Sequence, residues 1–168
     1  VWGRIRDGEV ILEPAFEAVT EARMPAAAGP NLLTGFDAGG GESFRLAFNG
    51  TPVADAPLGE EHFAFAVPLR MVRGSLARMR LESRGQRTEL VTTGARAAGR
   101  AADLRVAHSG TRSTVRWNAA EYPLAVIRNA QGQILTLARS GSVTLDDAAG
   151  SLDVTLSDRI LSKTDRLR

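Results

Sequence analysis

Three features of this 168-residue sequence predict an all-β fold. Large apolar residues recur at period two, as at Phe44, Leu46 and Phe48, the spacing of a strand with one buried face. Gly, Asn and Asp interrupt these runs at intervals of roughly eight to twelve residues. No amphipathic helical stretch separates the runs, so sheet must pack on sheet in an immunoglobulin/fibronectin-like β-sandwich.

The elements follow in order. Val1 to Arg6 and Glu9 onward flank Asp7-Gly8, a pair suited to the two positive-φ positions of a type I′ hairpin turn. The second strand should run from Glu9 to Val19, with Pro14 marking an edge or bulge. Residues 23–30 read as a loop. Asn31 to Ala38 and Ser43 to Asn49 pair about Gly39-Gly40-Gly41, and a Pro-containing loop covers 52–59. In His62 to Leu69 the side chains of Phe63, Phe65, Val67 and Leu69 share one face and should supply the first core.

Ser75 to Thr93 predicts a hairpin turning at Gly85-Gln86, glycine leading a type II′ turn. That register sets Arg84 opposite Arg87, Glu82 opposite Glu89 and Leu81 opposite Leu90. The outward row Arg78, Arg80, Glu82 and Arg84 then reads as a solvated face. Residues 94–102, small and without period, read as a linker. Strands are expected at 104–108, 113–118, 124–129, 133–139, 142–146 and 152–157, with Asn129 to Gly132 turning between two of them. This divides the chain into a β-sandwich module at 1–93, a linker at 94–102 and a smaller module at 103–168; the rival is one larger sandwich sharing a core. No repeat between the halves shows in the sequence.

Composition narrows the function classes. There is no cysteine, which excludes disulfides and thiolate metal sites. No apolar run is long enough for a helical membrane span. Val1 opens the sequence without the basic and apolar regions of a signal peptide, which predicts a piece of a longer chain. The basic residues are twenty arginines and one lysine, Lys163. Residues 70–139 carry a net charge of +9, residues 1–69 carry −6 and residues 140–168 carry −1. Either an anionic partner or the chain's own acids could satisfy that asymmetry. Alternation with glutamate favours internal pairing, and no nucleic-acid partner is expected.

No catalytic, cofactor or metal site is expected either. His62 and His108 lack a third ligand at metal spacing. Ser109, Ser140 and Ser142 lie outside any nucleophile elbow. Gly39-Gly40-Gly41 precedes a strand, not the helix of a phosphate loop. Loop acids could in principle hold calcium: Asp146, Asp147, Asp153 and Asp158, or Asp37 with Glu42; but the EF-hand spacing is absent. Trp117 reads as a core anchor. The alternative is an oligosaccharide-binding module in which Trp117 or Tyr122 presents an aromatic face. A third reading is a hydrolase whose acids, for example Asp55, Glu60 and Glu61, converge only in the fold.

Ser113 to Asn118, Tyr122 to Asn129, Gly132 to Leu135 and the closing Leu156-Ser157-Asp158 together resemble the tail of bacterial secreted zinc-metalloprotease-like proteins. Gly3 to Phe16 and His62 to Leu69 are similar to the region just upstream of that tail. The resemblance implies a non-catalytic accessory region, secreted or periplasmic, with the zinc domain in another segment. Its partner would be the adjacent domain of the same polypeptide or an extracellular protein or polymer. Arg159 departs from the group, which would place glycine there, and with no zinc motif no catalytic residue carries over.

Overall fold

The computed structural model describes residues 1–6, 9–21, 24–25, 29–54, 59–96, 98–99, 101–146 and 150–167. The expected Asp7-Gly8 turn, parts of the 23–30, 52–59 and 94–102 segments, and Asp55 and Asp147 lie outside these residues. The chain is all-β: fifteen strands, with no α-helix among the described residues. It forms two compact units, Val1–Val91 and Thr92–Arg168, each built of antiparallel sheets consistent with a β-sandwich.

In the first unit β1 (Trp2–Arg6) and β2 (Glu9–Leu12) form one hairpin, and β3 (Asn31–Asp37) and β4 (Glu42–Phe48) a second. The chain returns through β5 (Thr51–Pro52) and β6 (Glu61–Ala64), then closes with the hairpin β7 (Leu76–Ser83) and β8 (Gln86–Val91). The sheets run β2-β1-β6-β5 and β4-β3-β7-β8. Inward faces deliver Ile5, Leu12, Leu33, Phe44, Met79 and Leu81 to the core. Phe48 from one sheet meets Phe63 and Phe65 from the other segment, with ring centroids 4.9 and 5.1 Å away. Gly35 is required because a Cβ there would run into the Phe44 ring directly opposite.

The second unit repeats this order. β9 (Arg105–Ser109) and β10 (Arg112–Arg116) form a hairpin, β11 (Leu124–Arg128) and β12 (Ile134–Ala138) the next, β13 (Ser142–Leu145) returns, and β14 (Leu152–Ser157) and β15 (Ser162–Leu167) close. The sheets run β13-β10-β9 and β12-β11-β14-β15. The second of these has the same hairpin–hairpin order as β4-β3-β7-β8. The return strand differs: β6 pairs with β1, whereas β13 pairs with β10. Val115, Trp117, Tyr122, Ile127, Val154 and Leu156 form the core, and the Trp117 Nε1–H donates to the Tyr122 carbonyl at 2.9 Å.

Several expectations are corrected. The second strand stops at Leu12, because Pro14 has no N–H to extend the ladder. β6 ends at Ala64; Phe63 is buried, but Leu69 sits in a 3-10 turn, 68 % exposed, so the expected four-residue face breaks after Phe65. The closing hairpin turns one residue earlier, at Arg84-Gly85, whose φ values of 48° and 81° make it type I′. Arg80 then opposes Glu89, Leu81 opposes Thr88 and Glu82 opposes Arg87, so each expected like-charge pair becomes an opposite-charge one. In the stretch read as linker, Ala95 and Ala102 are buried in the core of the second unit. β15 is an additional strand at the end of the chain.

The Arg80–Glu89 bond (2.7 Å) holds the Glu89 carboxyl below its usual range. A depressed carboxylate pKa stabilises the fold above the unfolded value, and the effect is lost as pH falls through the folded one. A double-mutant cycle of Arg80→Ala and Glu89→Ala should therefore give a coupling of about 0.2–1 kcal/mol near neutral pH. The coupling should vanish well below the carboxylate range, and urea melts at the two pH values would show it. Arg159 has φ 87°, where a Cβ is strained. Arg159→Gly should stabilise the second unit by about 0.5–1 kcal/mol after glycine's unfolded-state entropy is subtracted. The expected result in thermal denaturation is a higher Tm.

Candidate interaction edge

The β3–β4 and β11–β12 hairpins are built alike. Asp37 and Asn129 accept two equivalent bonds across the turn: Gly40 N–H to the Asp37 carbonyl (3.1 Å) and Gly41 N–H to its Oδ1 (2.8 Å). In the other hairpin Gly132 N–H reaches the Asn129 carbonyl (2.9 Å) and Gln133 N–H reaches its Oδ1 (3.0 Å). Gly40 and Gly132 supply the positive φ, 84° and 80°. Both hairpins then carry a bulge at the same place, Ser43 in β4 and Leu135 in β12. Glu42 thus corresponds to Ile134, and Arg45 to Leu137.

Those equivalent positions differ in chemistry. Glu42 and Arg45 form an exposed ion pair at 2.6 Å, which keeps the Glu42 carboxyl below its usual range. That is how an edge strand is protected against pairing with another chain. In β12 the same positions carry Ile134 and Leu137, 51 % and 46 % exposed, with Leu135 at 42 % between them. β12 is an edge strand of its sheet, and no charged side chain lies within it. The Leu137 and Ile134 partners on β11 are Val126 and Arg128. The sequence reading missed this patch because an aliphatic run in a strand reads as core.

The residues weighed as sites from sequence are dispersed. His62 bonds Glu60 at 2.9 Å, Arg6 lies 3.8 Å from Glu60, and Glu61 pairs with Arg84. His108 bonds Ser113 at 2.9 Å across a strand pair, but Ser113 is buried and could not meet a substrate. Ser109 closes β9 and Ser140 bonds the Ser142 carbonyl in the turn before β13, so these serines serve turns. Among the acids weighed for calcium, Asp146 pairs with Arg112 and Asp153 with Arg166, while Asp37 and Glu42 are engaged as above. The Arg166 hydrogen bond holds Asp153 below the usual carboxylate range. Among the described residues no three His, Asp or Glu side chains gather around a cation position. Trp117 and Tyr122 are buried, so neither offers a face to a sugar. In the arginine-rich segment Arg78 and Arg80 stack on Phe36 and pair with Glu89.

Asp158 has a structural part. Fully buried, it accepts from Thr92 Oγ1 (2.7 Å), Leu161 N–H (2.8 Å) and Ile160 N–H (3.3 Å), while its carbonyl accepts from Thr93 N–H. It ties the entry of the second unit to the β14–β15 turn. Asp158→Ala removes the acceptor of one buried and two part-buried donors and should cost about 2–4 kcal/mol in chemical denaturation.

Comparison with known proteins gives no match: no family model, no curated protein and no solved structure matches this chain.

Proposed function

We propose that this chain is a non-catalytic β-sandwich accessory region that engages another protein surface through the β12 edge. The single observation carrying the reading is the replacement of the Glu42–Arg45 ion pair by exposed Ile134 and Leu137 at the equivalent hairpin positions. Aliphatic side chains left in water on an edge strand cost solubility, and a covering partner makes that cost productive. The dispersed acids, histidines and serines support a binding role over a catalytic one. The resemblance of Ser113 to Asn118, Tyr122 to Asn129 and the Ser157-Asp158 close to metalloprotease tails supports an exported bacterial parent. Its zinc domain, carried on the same polypeptide, is the partner surface.

The test uses the isolated chain and the parent polypeptide. Leu137→Lys should leave the isolated chain folded and change its unfolding free energy by no more than about 0.5 kcal/mol, as for exposed positions. In the parent it should loosen the junction with the neighbouring domain, read as faster limited proteolysis there. The isolated chain should hydrolyse no peptide, ester or glycoside substrate. Turnover abolished by Glu60→Gln or Glu61→Gln would overturn the non-catalytic reading; an unchanged proteolysis pattern would overturn the role of β12.

A further inference from the structure

A second surface in the first unit has its own chemistry. Leu69 and Met71, 68 % and 38 % exposed, stand on the 3-10 turn Leu69–Met71, in which no residue is buried. Single exposed apolar residues are ordinary on any surface. Here two occur within three residues on a backbone that is held in place. Met71 N–H donates to the Pro68 carbonyl (2.9 Å) and Val72 N–H to the Leu69 carbonyl (3.0 Å). Arg73 N–H donates to the Ser43 carbonyl (3.3 Å), and Ser43 Oγ returns a bond to the Arg73 carbonyl (2.8 Å). The segment that leaves the turn is thereby tied to β4 at Ser43.

Charge marks the same spot. Arg70 and Arg73 flank Met71, both exposed, and neither makes an ion pair among the described residues. Farther along the chain Arg78, Arg80 and Arg84 all have glutamate partners. Glu42, beside Ser43 on the neighbouring strand, is already paired with Arg45. Two cations without an ion pair among the described residues, beside two solvent-facing apolar side chains, match a surface that is anionic outside and apolar beneath.

We infer that this turn docks on an anionic lipid bilayer, with Leu69 and Met71 entering the headgroup–acyl boundary and Arg70 and Arg73 meeting headgroup phosphates. A bilayer suits the turn better than an acidic protein does. Protein interfaces of ordinary stability need about 800 Å² per partner around aromatic or arginine anchors in pockets. Two flexible side chains on one exposed turn meet no such requirement, and a fluid surface accepts them without a preformed pocket. Two side chains insert less apolar surface than a myristoyl chain, whose partition constant is on the order of 10⁴ M⁻¹. Contact is therefore reversible and adds to whatever else holds the protein near the membrane.

The experiment measures Leu69→Trp fluorescence and co-sedimentation with phosphatidylglycerol/phosphatidylcholine vesicles at millimolar lipid, beside pure phosphatidylcholine. The expected result is a blue-shifted emission with the anionic vesicles only, weakened by added salt. Arg70→Gln and Arg73→Gln, introduced one at a time, should each lower the partition coefficient roughly fivefold. Met71→Ser should also weaken binding, while circular dichroism confirms that each variant is folded. Absence of sedimentation with anionic vesicles would overturn the proposal. So would binding that these substitutions leave unchanged, or a blue shift given by an acidic protein in place of lipid.

Discussion

Antiparallel register is the constraint on which both units rest. With a side-chain period of two, a slip of one residue would exchange every buried face for a solvated one. The turns prevent that slip. Asp37 with Gly40 and Asn129 with Gly132 fix two hairpins by the same pattern of turn hydrogen bonds, and Arg84-Gly85 fixes a third. Once these are set, Leu33 and Leu81 face inward in the first unit and Ile127 and Val154 in the second. The same registers place Arg80 against Glu89 and Asp153 against Arg166 on outward faces.

Because the two hairpins share turn, bulge and register, they form an internal comparison within one chain. Volume is redistributed across equivalent inward pairs: Gly35 with Phe44 in one, Ile127 with Thr136 in the other. Each pair combines a large and a small residue, so the sheet spacing is kept. No such compensation operates on the outward side. Glu42 and Arg45 neutralise one another in water, while Ile134 and Leu137 gain nothing there. That asymmetry is the physical basis for proposing a partner at β12.

Much of the fold is legible in the sequence because strand periodicity is local. The runs around Phe44 to Phe48, Leu124 to Arg128 and Leu152 to Ser157 show it directly. Trp117 is legible as a core anchor because its strand alternates around it. The closing hairpin of the first unit was not, since Arg84-Gly85 and Gly85-Gln86 are both acceptable turn pairs and only the charge pairing separates them. Ala95 and Ala102 carry no period, yet small side chains are what fits beside the second core. Ser162 to Leu167 is polar on both faces, as an edge strand can be, and gave no alternation to read. The β12 patch was invisible for the opposite reason: burial depends on what lies across the sheet, and Ile134 to Leu137 looks the same covered or bare.

Native-state amide hydrogen exchange of the isolated chain tests the open edge of β12 most directly. β11 and β14 lie inside their sheet, so their amides should exchange only through large-scale opening of the unit. In β12 the amides not bonded to β11 should exchange orders of magnitude faster, as should the bulged Leu135. Protection throughout β12 equal to that of β11, at protein concentrations where the chain is monomeric, would contradict an uncovered edge and with it the proposed role of this strand.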